Sequence, residues 1–174
     1  MLISDQKLIE RVVLNDDHYA YGQLIQKYQS PLRLFLRRML QGDEALADDL
    51  AQDSFLKAYQ KLSTLKAGAK FSPWLYSIAK NQFLQYKRKK RESYGWDEED
   101  FSHLPNQGHV KMDLEKAMLT LKPIERACLT MCYFEDLTHE DVSTILEIPL
   151  GTLKTHVAKG KEKLHFLLKS YKED

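Results

Sequence analysis

Residues 149–164 read PLGTLKTHVAKGKEKL, and they follow a shorter segment that runs from Thr138 to Glu147. Thr138 is a predicted N-cap with acidic residues in the first turn behind it, and Pro149 and Gly151 interrupt the chain before the basic segment. A short helix, a tight turn and a longer basic helix form the layout of a helix-turn-helix, whose second helix lies in the major groove of DNA. The stretch therefore predicts both helical structure and a nucleic-acid surface.

The basic segment has two faces at helical spacing. Gly160 lies in the apolar face and predicts a close approach to a neighbouring helix, because glycine otherwise costs about 1 kcal/mol relative to alanine in mid-helix. An ordinary solvated basic helix in a bundle stays open as the alternative. The apolar face consists of Leu153, Val157, Gly160, Leu164 and Leu167, and the face suited to bases and phosphates consists of Thr152, Thr155, His156, Lys159 and Lys163.

The rest of the chain shows helical periodicity and no alternating strand pattern. Residues 92–112 lack periodicity and contain four consecutive acids, which is typical of a flexible linker. The prediction is an all-α chain with two helical domains, residues 1–91 and 113–174, the second containing the helix-turn-helix. In the first domain the predicted helices are one over 5–14 with Ser4 as N-cap, one over 18–28, one from Ser30-Pro31 to Gln41-Gly42, one capped by Asp43 that runs to Leu62, and one that begins at Ser72-Pro73.

The charge of the chain is segregated, although its net value is only +1. Residues 1–91 hold 16 Lys and Arg against 9 Asp and Glu, whereas residues 113–149 hold 3 against 8 and residues 150–174 hold 6 against 3. Patches of this kind govern association rather than fold. The sequence does not determine how the two domains are arranged in the free protein, and a compact, self-occluded arrangement stays open because the first domain is basic and the start of the second is acidic.

Several function classes find no support in the sequence. No apolar run is long enough to span a bilayer and no secretory signal is present, so a cytoplasmic location is expected. No phosphate loop, nucleophile elbow or paired-acid motif occurs, so we expect neither an enzyme nor a cofactor. Cys128 and Cys132 stand one helical turn apart and fit buried small hydrophobic residues, with a redox or metal sensor that recruits His139 as the alternative.

A second basic feature ends in five consecutive basic residues, 87–91, which can neutralise phosphates. Lys80 and Asn81 are predicted to lie off the apolar stripe of this helix and are the better contact candidates. The acids from Asp48 to Asp53 suit either solvent or a basic protein partner. Aromatic residues upstream of the basic run 87–91 could stack on unpaired bases, although most of them are predicted to belong to the core: Phe71, Trp74, Tyr76, Phe83 and Tyr86.

Four blocks together resemble the bacterial extracytoplasmic-function (ECF) sigma factors: YGQLIQKYQSPLRLFLRRML, ADDLAQDSFLKAYQKL, KFSPWLYSIAKNQFLQYKRKK and IPLGTLKTHVAKGKEKL. The resemblance implies a first domain that binds core RNA polymerase and melts the minus-10 promoter element. It implies a second domain that reads the minus-35 element. It also implies a monomeric free protein, promoter DNA and an anti-sigma factor as partners, and no small-molecule substrate.

The resemblance, joined to the two-face analysis, assigns three sets of residues. The loop 66–72 corresponds to the family's pocket for a flipped base. Lysine occupies recognition-helix positions where the family more often has arginine, and this predicts less specific contacts with base edges. The minus-35 set is Thr152, Lys154, Thr155, His156, Lys159, Lys161 and Lys163. The minus-10 set is Lys70, Phe71, Trp74, Lys80, Asn81, Lys87 and Arg88, and the polymerase set is Asp48, Asp49, Leu50, Gln52, Asp53 and Phe55.

Two other functions stay open at this point. A self-sufficient helix-turn-helix repressor or activator would need an oligomerisation face and a palindromic operator. A response-regulator output domain or an anti-sigma partner would act through protein contacts, although two separate nucleic-acid surfaces count against it.

Overall fold

The computed structural model describes residues 3–94, 114–134 and 137–170. Within these ranges the chain forms eight α-helices and one short 3-10 turn, Leu62–Thr64, without a β-strand, which confirms the all-α prediction. The first domain comprises α1 (Asp5–Asn15), α2 (His18–Met39), α3 (Glu44–Lys61) and α4 (Phe71–Tyr94). The second domain comprises α5 (Leu114–Leu119), α6 (Pro123–Phe134), α7 (His139–Leu146) and α8 (Leu150–Ser170).

The predicted break at Ser30-Pro31 is wrong, because α2 continues through Pro31. Proline removes one backbone hydrogen bond and costs about 3 kcal/mol in a helix interior. The side chains on both sides of Pro31 are buried, with at most 1% exposure for Leu24, Leu32 and Phe35. Since both halves of α2 present one apolar face to the same core, burial favours a single helix of 22 residues.

Other helix ends follow the predicted signals. Asp43 accepts a hydrogen bond from the backbone N–H of Leu46 at 3.0 Å, and Thr138 forms a capping box with Asp141. Gly42 adopts φ +93° after the end of α2, in the left-handed region that favours glycine.

Two predicted boundaries shift. α4 begins at Phe71, one residue before the predicted N-cap Ser72, so Pro73 lies within the first turn, where its missing N–H costs little. The first three residues of the predicted linker, residues 92–112, belong to α4. The rest of the predicted linker lies outside the described residues.

The close helix approach predicted at Gly160 is confirmed. A Cβ atom built on Gly160 of α8 would lie 2.7 Å from Cδ1 of Leu129 in α6, so any side chain at this position would require Leu129 or the helix to shift. Leu153 is fully buried and Val157 is nearly so, as the apolar face predicts. Gly160 therefore sets how closely α8 lies against α6.

The two domains pack against each other, with α2 against α5 and α6 and α4 against α7. Their buried apolar residues form one continuous cluster. Arg38 of α2 is 1% exposed, and its guanidinium donates to Glu115 of α5 at 2.5 and 3.1 Å. In return, Arg126 of α6 donates to the backbone carbonyl of Arg38 at 2.5 Å. Burial lowers the pKa of Arg126 to about 10, so it stays charged at neutral pH.

The two cysteines lie in α6, where Cys128 is buried and Cys132 is half-buried. Burial raises the pKa of the Cys128 thiol to about 12 and also raises that of Cys132. A thiol with a raised pKa is a poor nucleophile and metal ligand, so the contacts favour the hydrophobic role. Among the described residues, no group of three or more His, Cys, Asp or Glu could hold a metal ion. No helix in that part of the chain is both long and apolar enough to cross a membrane.

Candidate nucleic-acid and protein interfaces

The turn between α7 and α8 is made by Glu147, Ile148 and Pro149. Glu147 adopts φ +57°, which lets the chain reverse, and the Ile148 amide donates to the carbonyl of Ser143 at 3.1 Å. The Ser143 hydroxyl donates to the Ile148 carbonyl at 2.6 Å, so the turn is held by its own hydrogen bonds. The sequence marked Pro149 and Gly151 as the break, but a left-handed glutamate carries no sequence signal of its own.

The outward face of α8 presents most of the predicted minus-35 set to solvent. His156 is half-buried, and its enclosed Nδ1 has no hydrogen-bond partner among the described residues. A row of hydroxyl and ammonium groups on a rigid helix can meet base edges and phosphates in a major groove. The exposed members are Thr152, Lys154, Thr155, Lys159, Lys161 and Lys163.

Lys163 differs from the other predicted minus-35 residues. Its ammonium lies 2.7 and 2.9 Å from the two carboxylate oxygens of Glu125 in α6, and the Glu125 side chain is only 3% exposed. Glu125 also accepts from the backbone N–H of Lys122 at 3.3 Å. In this structure Lys163 therefore fastens α8 to α6, a role that the α8 sequence alone does not indicate.

The predicted minus-10 residues of α4 divide into core and surface. Phe71 is 1% exposed and packs between Tyr28 and Trp74, with ring centroids 5.4 and 5.9 Å away. Trp74 is half-buried, whereas Asn81 and Arg88 are exposed. A base could reach the latter two directly, but not the ring of Phe71 in this conformation.

Lys87 is half-buried, with its ammonium 5.7 Å from the centroid of the Phe83 ring. Burial lowers the pKa of Lys87, and the neighbouring charges of Lys90 and Arg126 lower it further. The contact with an aromatic face stabilises the charged form at this site.

The expectation that Lys80 lies off the buried stripe is wrong. Lys80 is 9% exposed, because α7 packs over it, and its ammonium lies 2.7 Å from the Glu147 carboxylate. Lys70 makes a parallel contact, 3.3 Å from the carboxylate of Asp141. The periodicity of α4 could not show this, since the covering helix belongs to the other domain.

Both carboxylates respond to these contacts. The Lys80 ammonium lowers the pKa of Glu147 from its ordinary 4.5. Burial raises the pKa of Asp141, but hydrogen bonds from Thr138 and Lys70 outweigh it and leave the pKa below 3.8. Because both pKa values are lowered in the folded chain, the two pairs contribute their full stabilisation when the pH is above the ordinary pKa of each carboxylate. This stabilisation is lost as the pH falls through the lowered pKa values.

The loop before α4 borders a cavity of about 450 Å³ that both domains line. The first domain contributes Gly68, Ala69 and Lys70, and the second contributes Leu137 and Asp141. The loop that the resemblance assigns to base capture therefore faces the second domain.

The acidic face of α3 presents Asp49, Gln52 and Asp53 to solvent. Asp48 pairs with Arg33 of α2 at 3.1 Å. The other two predicted polymerase residues, Leu50 and Phe55, are 8% and 6% exposed and belong to the core.

Leu56 was missed by the sequence analysis although it is 57% exposed. It borders a cleft of about 400 Å³ between α2 and α3, together with Tyr21, Ile25 and Gln52. The sequence carries no decisive signal for this exposure, because adjacent residues of α3 such as Ser54 and Phe55 are both buried.

Comparison with known proteins agrees with this architecture. The family model described as Sigma-70 region 2 matches residues 24–93, and the one described as Sigma-70, region 4 matches residues 111–164. The chain is 30% identical to the ECF RNA polymerase sigma factor SigW of Bacillus subtilis, over 87% of this chain and 90% of that one. It is 31% identical to the RNA polymerase sigma-H factor of Pseudomonas aeruginosa, over 91% of this chain and 90% of that one.

A solved structure has the same fold. The sigma factor RpoE of Bartonella quintana, in complex with the anti-sigma factor NepR, superposes with a TM-score of 0.70 at 26% identity, over 86% of this chain and 96% of that one. The chain belongs to the ECF family of RNA polymerase sigma factors, which are transcription initiation factors rather than enzymes.

Proposed function

We propose that this sigma factor divides promoter recognition between its domains, with residues 1–91 on core polymerase and the minus-10 element and residues 113–174 on the minus-35 element. Residues 92–112 join the two. The observation that carries the proposal is the outward face of α8, where exposed hydroxyl and ammonium groups stand on a helix that Gly160 and Lys163 fix against α6. A rigid support of this kind keeps base-reading side chains in register.

In the minus-35 half, Lys154, Thr155 and Lys159 meet base edges, and Thr152 and Lys161 support them at the phosphates. Lysine gives a point charge rather than the planar fork of arginine. Binding by this face therefore depends on phosphate contacts to a large extent and weakens as salt rises. His156 and Lys163 contribute through the position of α8, since His156 is half-buried and Lys163 is paired with Glu125.

In the minus-10 half, Asn81 and Arg88 are the directly available contacts, with Lys87 and Trp74 beside them. Phe71 acts through the placement of Trp74, because its own ring is buried. Lys80 joins this surface only when α7 moves away from it, whereas the side chain of Lys70 is 66% exposed although it pairs with Asp141.

For polymerase, Asp49, Gln52 and Asp53 form the polar part of the contact, and Leu56 with the adjoining cleft forms the apolar part. Asp48 orients this face through Arg33, and buried Leu50 and Phe55 hold α3 in place. An apolar centre with a polar rim is the usual composition of a specific protein interface.

The free chain acts as a monomer in the cytoplasm, where polymerase and chromosome are found, and needs no cofactor or small-molecule substrate. Its likeness to a sigma factor solved in complex with an anti-sigma factor supports a further partner of that class. An anti-sigma factor would hold this chain inactive until its signal arrives.

Run-off transcription with purified core polymerase and a set of promoter fragments tests the proposal. Lys159→Ala should reduce transcript from the cognate promoter about tenfold, since one good base contact is worth about 1–3 kcal/mol. Asp53→Ala should instead lower the affinity for core polymerase measured without DNA.

The matched controls are Lys169→Ala at the far end of α8 and Glu10→Ala on α1, both exposed residues outside the proposed contacts. Neither control should change transcription. Specific footprints on a palindromic site without polymerase, with no run-off product on any promoter, would favour a self-sufficient repressor or activator and sink the proposal.

A further inference from the structure

Tyr133 is an exposed aromatic residue outside the three predicted sets of site residues. It lies near the C-terminal end of α6 and is 55% exposed. The ammonium of Lys161 in α8 lies 5.3 Å from the centroid of its ring. An ammonium within about 6 Å of an aromatic centroid is attracted by the negative face of the ring. Tyr133 and Lys161 therefore form a cation–π pair between α6 and α8, at the surface of the second domain.

This pair differs from the other lysine contact between the two helices. Lys163 lies against the buried carboxylate of Glu125, so its charge is largely neutralised within the protein. The Tyr133 ring has no net charge, so Lys161 keeps its positive charge while its position is restricted. Because Gly160 and Lys163 already fix α8 against α6, the fold does not depend on an exposed contact with an aromatic ring.

The position of Lys161 along α8 fits a contact with the DNA backbone. Lys161 follows Lys154 by two helical turns on the same side of α8, which places it about 10 Å further along the helix axis. The major groove of B-DNA is about 12 Å wide. When Lys154 meets base edges in the groove, Lys161 therefore lies close to the phosphates that line the edge of the groove.

The ring under the ammonium lowers the cost of placing Lys161 at a phosphate. Lysine has a long, flexible side chain and loses much rotamer freedom when binding fixes it. Because the Tyr133 ring restricts Lys161 before DNA arrives, less of that freedom remains to be lost, and such preorganisation raises affinity. Lys161 is exposed, so a phosphate oxygen can approach its ammonium from the side away from the ring.

We propose that Tyr133 is a positioning residue for promoter DNA, whose ring holds the Lys161 ammonium against one backbone phosphate at the edge of the minus-35 element. The DNA surface of the second domain then includes the end of α6 as well as the helix-turn-helix. The inference rests on the proposed function, since it takes the outward face of α8 as the minus-35 surface.

The test compares Tyr133→Leu, which removes the ring, with Tyr133→Phe, which keeps the ring and removes only the hydroxyl. Each change is also made together with Lys161→Ala. The matched control is Tyr19→Leu, at an exposed tyrosine of α2 outside the proposed contacts. Holoenzyme is reconstituted from core polymerase and the full chain. Fluorescence anisotropy then gives its affinity for a labelled duplex of the promoter with the strongest run-off product.

Tyr133→Leu should weaken promoter binding about threefold, as expected for one exposed cation–π contact, and Lys161→Ala should weaken it at least as much. Tyr133→Phe and Tyr19→Leu should bind like wild type. When Lys161 is already alanine, Tyr133→Leu should cause no further loss, because the charge that the ring positions is absent. An unchanged affinity for Tyr133→Leu, an equal loss with and without Lys161, or an equal loss for Tyr133→Phe would overturn the inference.

Uncharged methylphosphonate linkages, placed one at a time along the minus-35 region of the duplex, locate the phosphate. At one position, or at two adjacent positions, the linkage should abolish the effects of both Lys161→Ala and Tyr133→Leu. Loss of the two effects at separate positions would contradict a shared phosphate.

These outcomes are distinct from failure of the proposed function. If Lys159→Ala weakens transcription while Tyr133→Leu changes neither binding nor transcription, the chain reads the minus-35 element without help from α6, and only the inference fails. If no promoter gives a run-off product, the proposed function fails and the inference fails with it.

Discussion

Two lysine–glutamate pairs in this molecule have the same length and opposite surroundings. Lys163–Glu125 and Lys80–Glu147 both measure 2.7 Å between nitrogen and oxygen. In the first, the carboxylate is buried at 3% exposure and the lysine is 45% exposed. In the second, the lysine is 11% exposed and the carboxylate is 77% exposed. The first joins α6 to α8 within a domain, whereas the second joins α4 to the end of α7 across two domains.

The difference shows that the distance between two charged groups does not by itself determine the structural role of an ion pair. Glu125 lies beside the tight contact of Gly160 with Leu129, so no motion short of unfolding would return its carboxylate to water. Lys80 lies under α7 of the neighbouring domain, so separation of the domains would hydrate it. The first pair therefore belongs to the stability of a domain, and the second can be broken and remade in the folded chain.

Gly160→Leu should have the largest effect on stability. Even a Cβ atom at this position overlaps Leu129, so a full side chain would force α8 away from α6 and also stretch the Lys163–Glu125 pair. Overpacking of this kind costs typically about 1–3 kcal/mol, and we expect the upper end in the free energy of unfolding from urea titration followed by circular dichroism.

The control for this change is Gly151→Leu in the same helix, where an added Cβ meets nothing within 4 Å. That variant should unfold at nearly the wild-type urea concentration. Equal losses for the two substitutions would show that a general effect of leucine on α8, rather than the α6–α8 contact, determines the result, since helix propensity favours leucine over glycine at both positions.

The second prediction compares the two pairs directly. Glu125→Gln removes the charge that Lys163 and the Lys122 amide use inside the domain, and we expect a loss of about 1–2 kcal/mol in the free energy of unfolding. Glu147→Gln should leave the unfolding midpoint unchanged within error, because its carboxylate is exposed and an ion pair with an exposed partner contributes little stability. A larger destabilisation from Glu147→Gln than from Glu125→Gln would reverse the comparison.

Local signals in the sequence were sufficient for much of the fold. The caps at Asp43 and Thr138, the glycine after α2 and the apolar face of α8 each depend on residues close together in the chain, and each is found in the structure. The continuous α2 was missed because the burial of Leu32 and Phe35 in the same core as Leu24 outweighs the local effect of Pro31.

The candidate site was less predictable for a related reason. Exposure of Lys80 was inferred from the periodicity of α4, which cannot reveal a helix that arrives from residues 139–146. Lys163 has the same sequence character as Lys159, and only the buried Glu125 of α6 separates their roles. Contacts between elements distant in the chain determine which basic residues face solvent.

The most direct test of the account is the distance between α4 and α8 in the free and polymerase-bound chain. Donor and acceptor dyes, attached through unnatural amino acids at exposed Gln85 and Glu162, leave Cys128 and Cys132 untouched and report this distance by energy transfer. The packing of α7 on α4 predicts high transfer efficiency in the free chain, a partial decrease in a Glu115→Gln/Glu147→Gln chain, which lacks the carboxylates that pair with Arg38 and Lys80, and a large decrease on addition of saturating core polymerase. Low efficiency in the free wild-type chain, unchanged by polymerase, would contradict it.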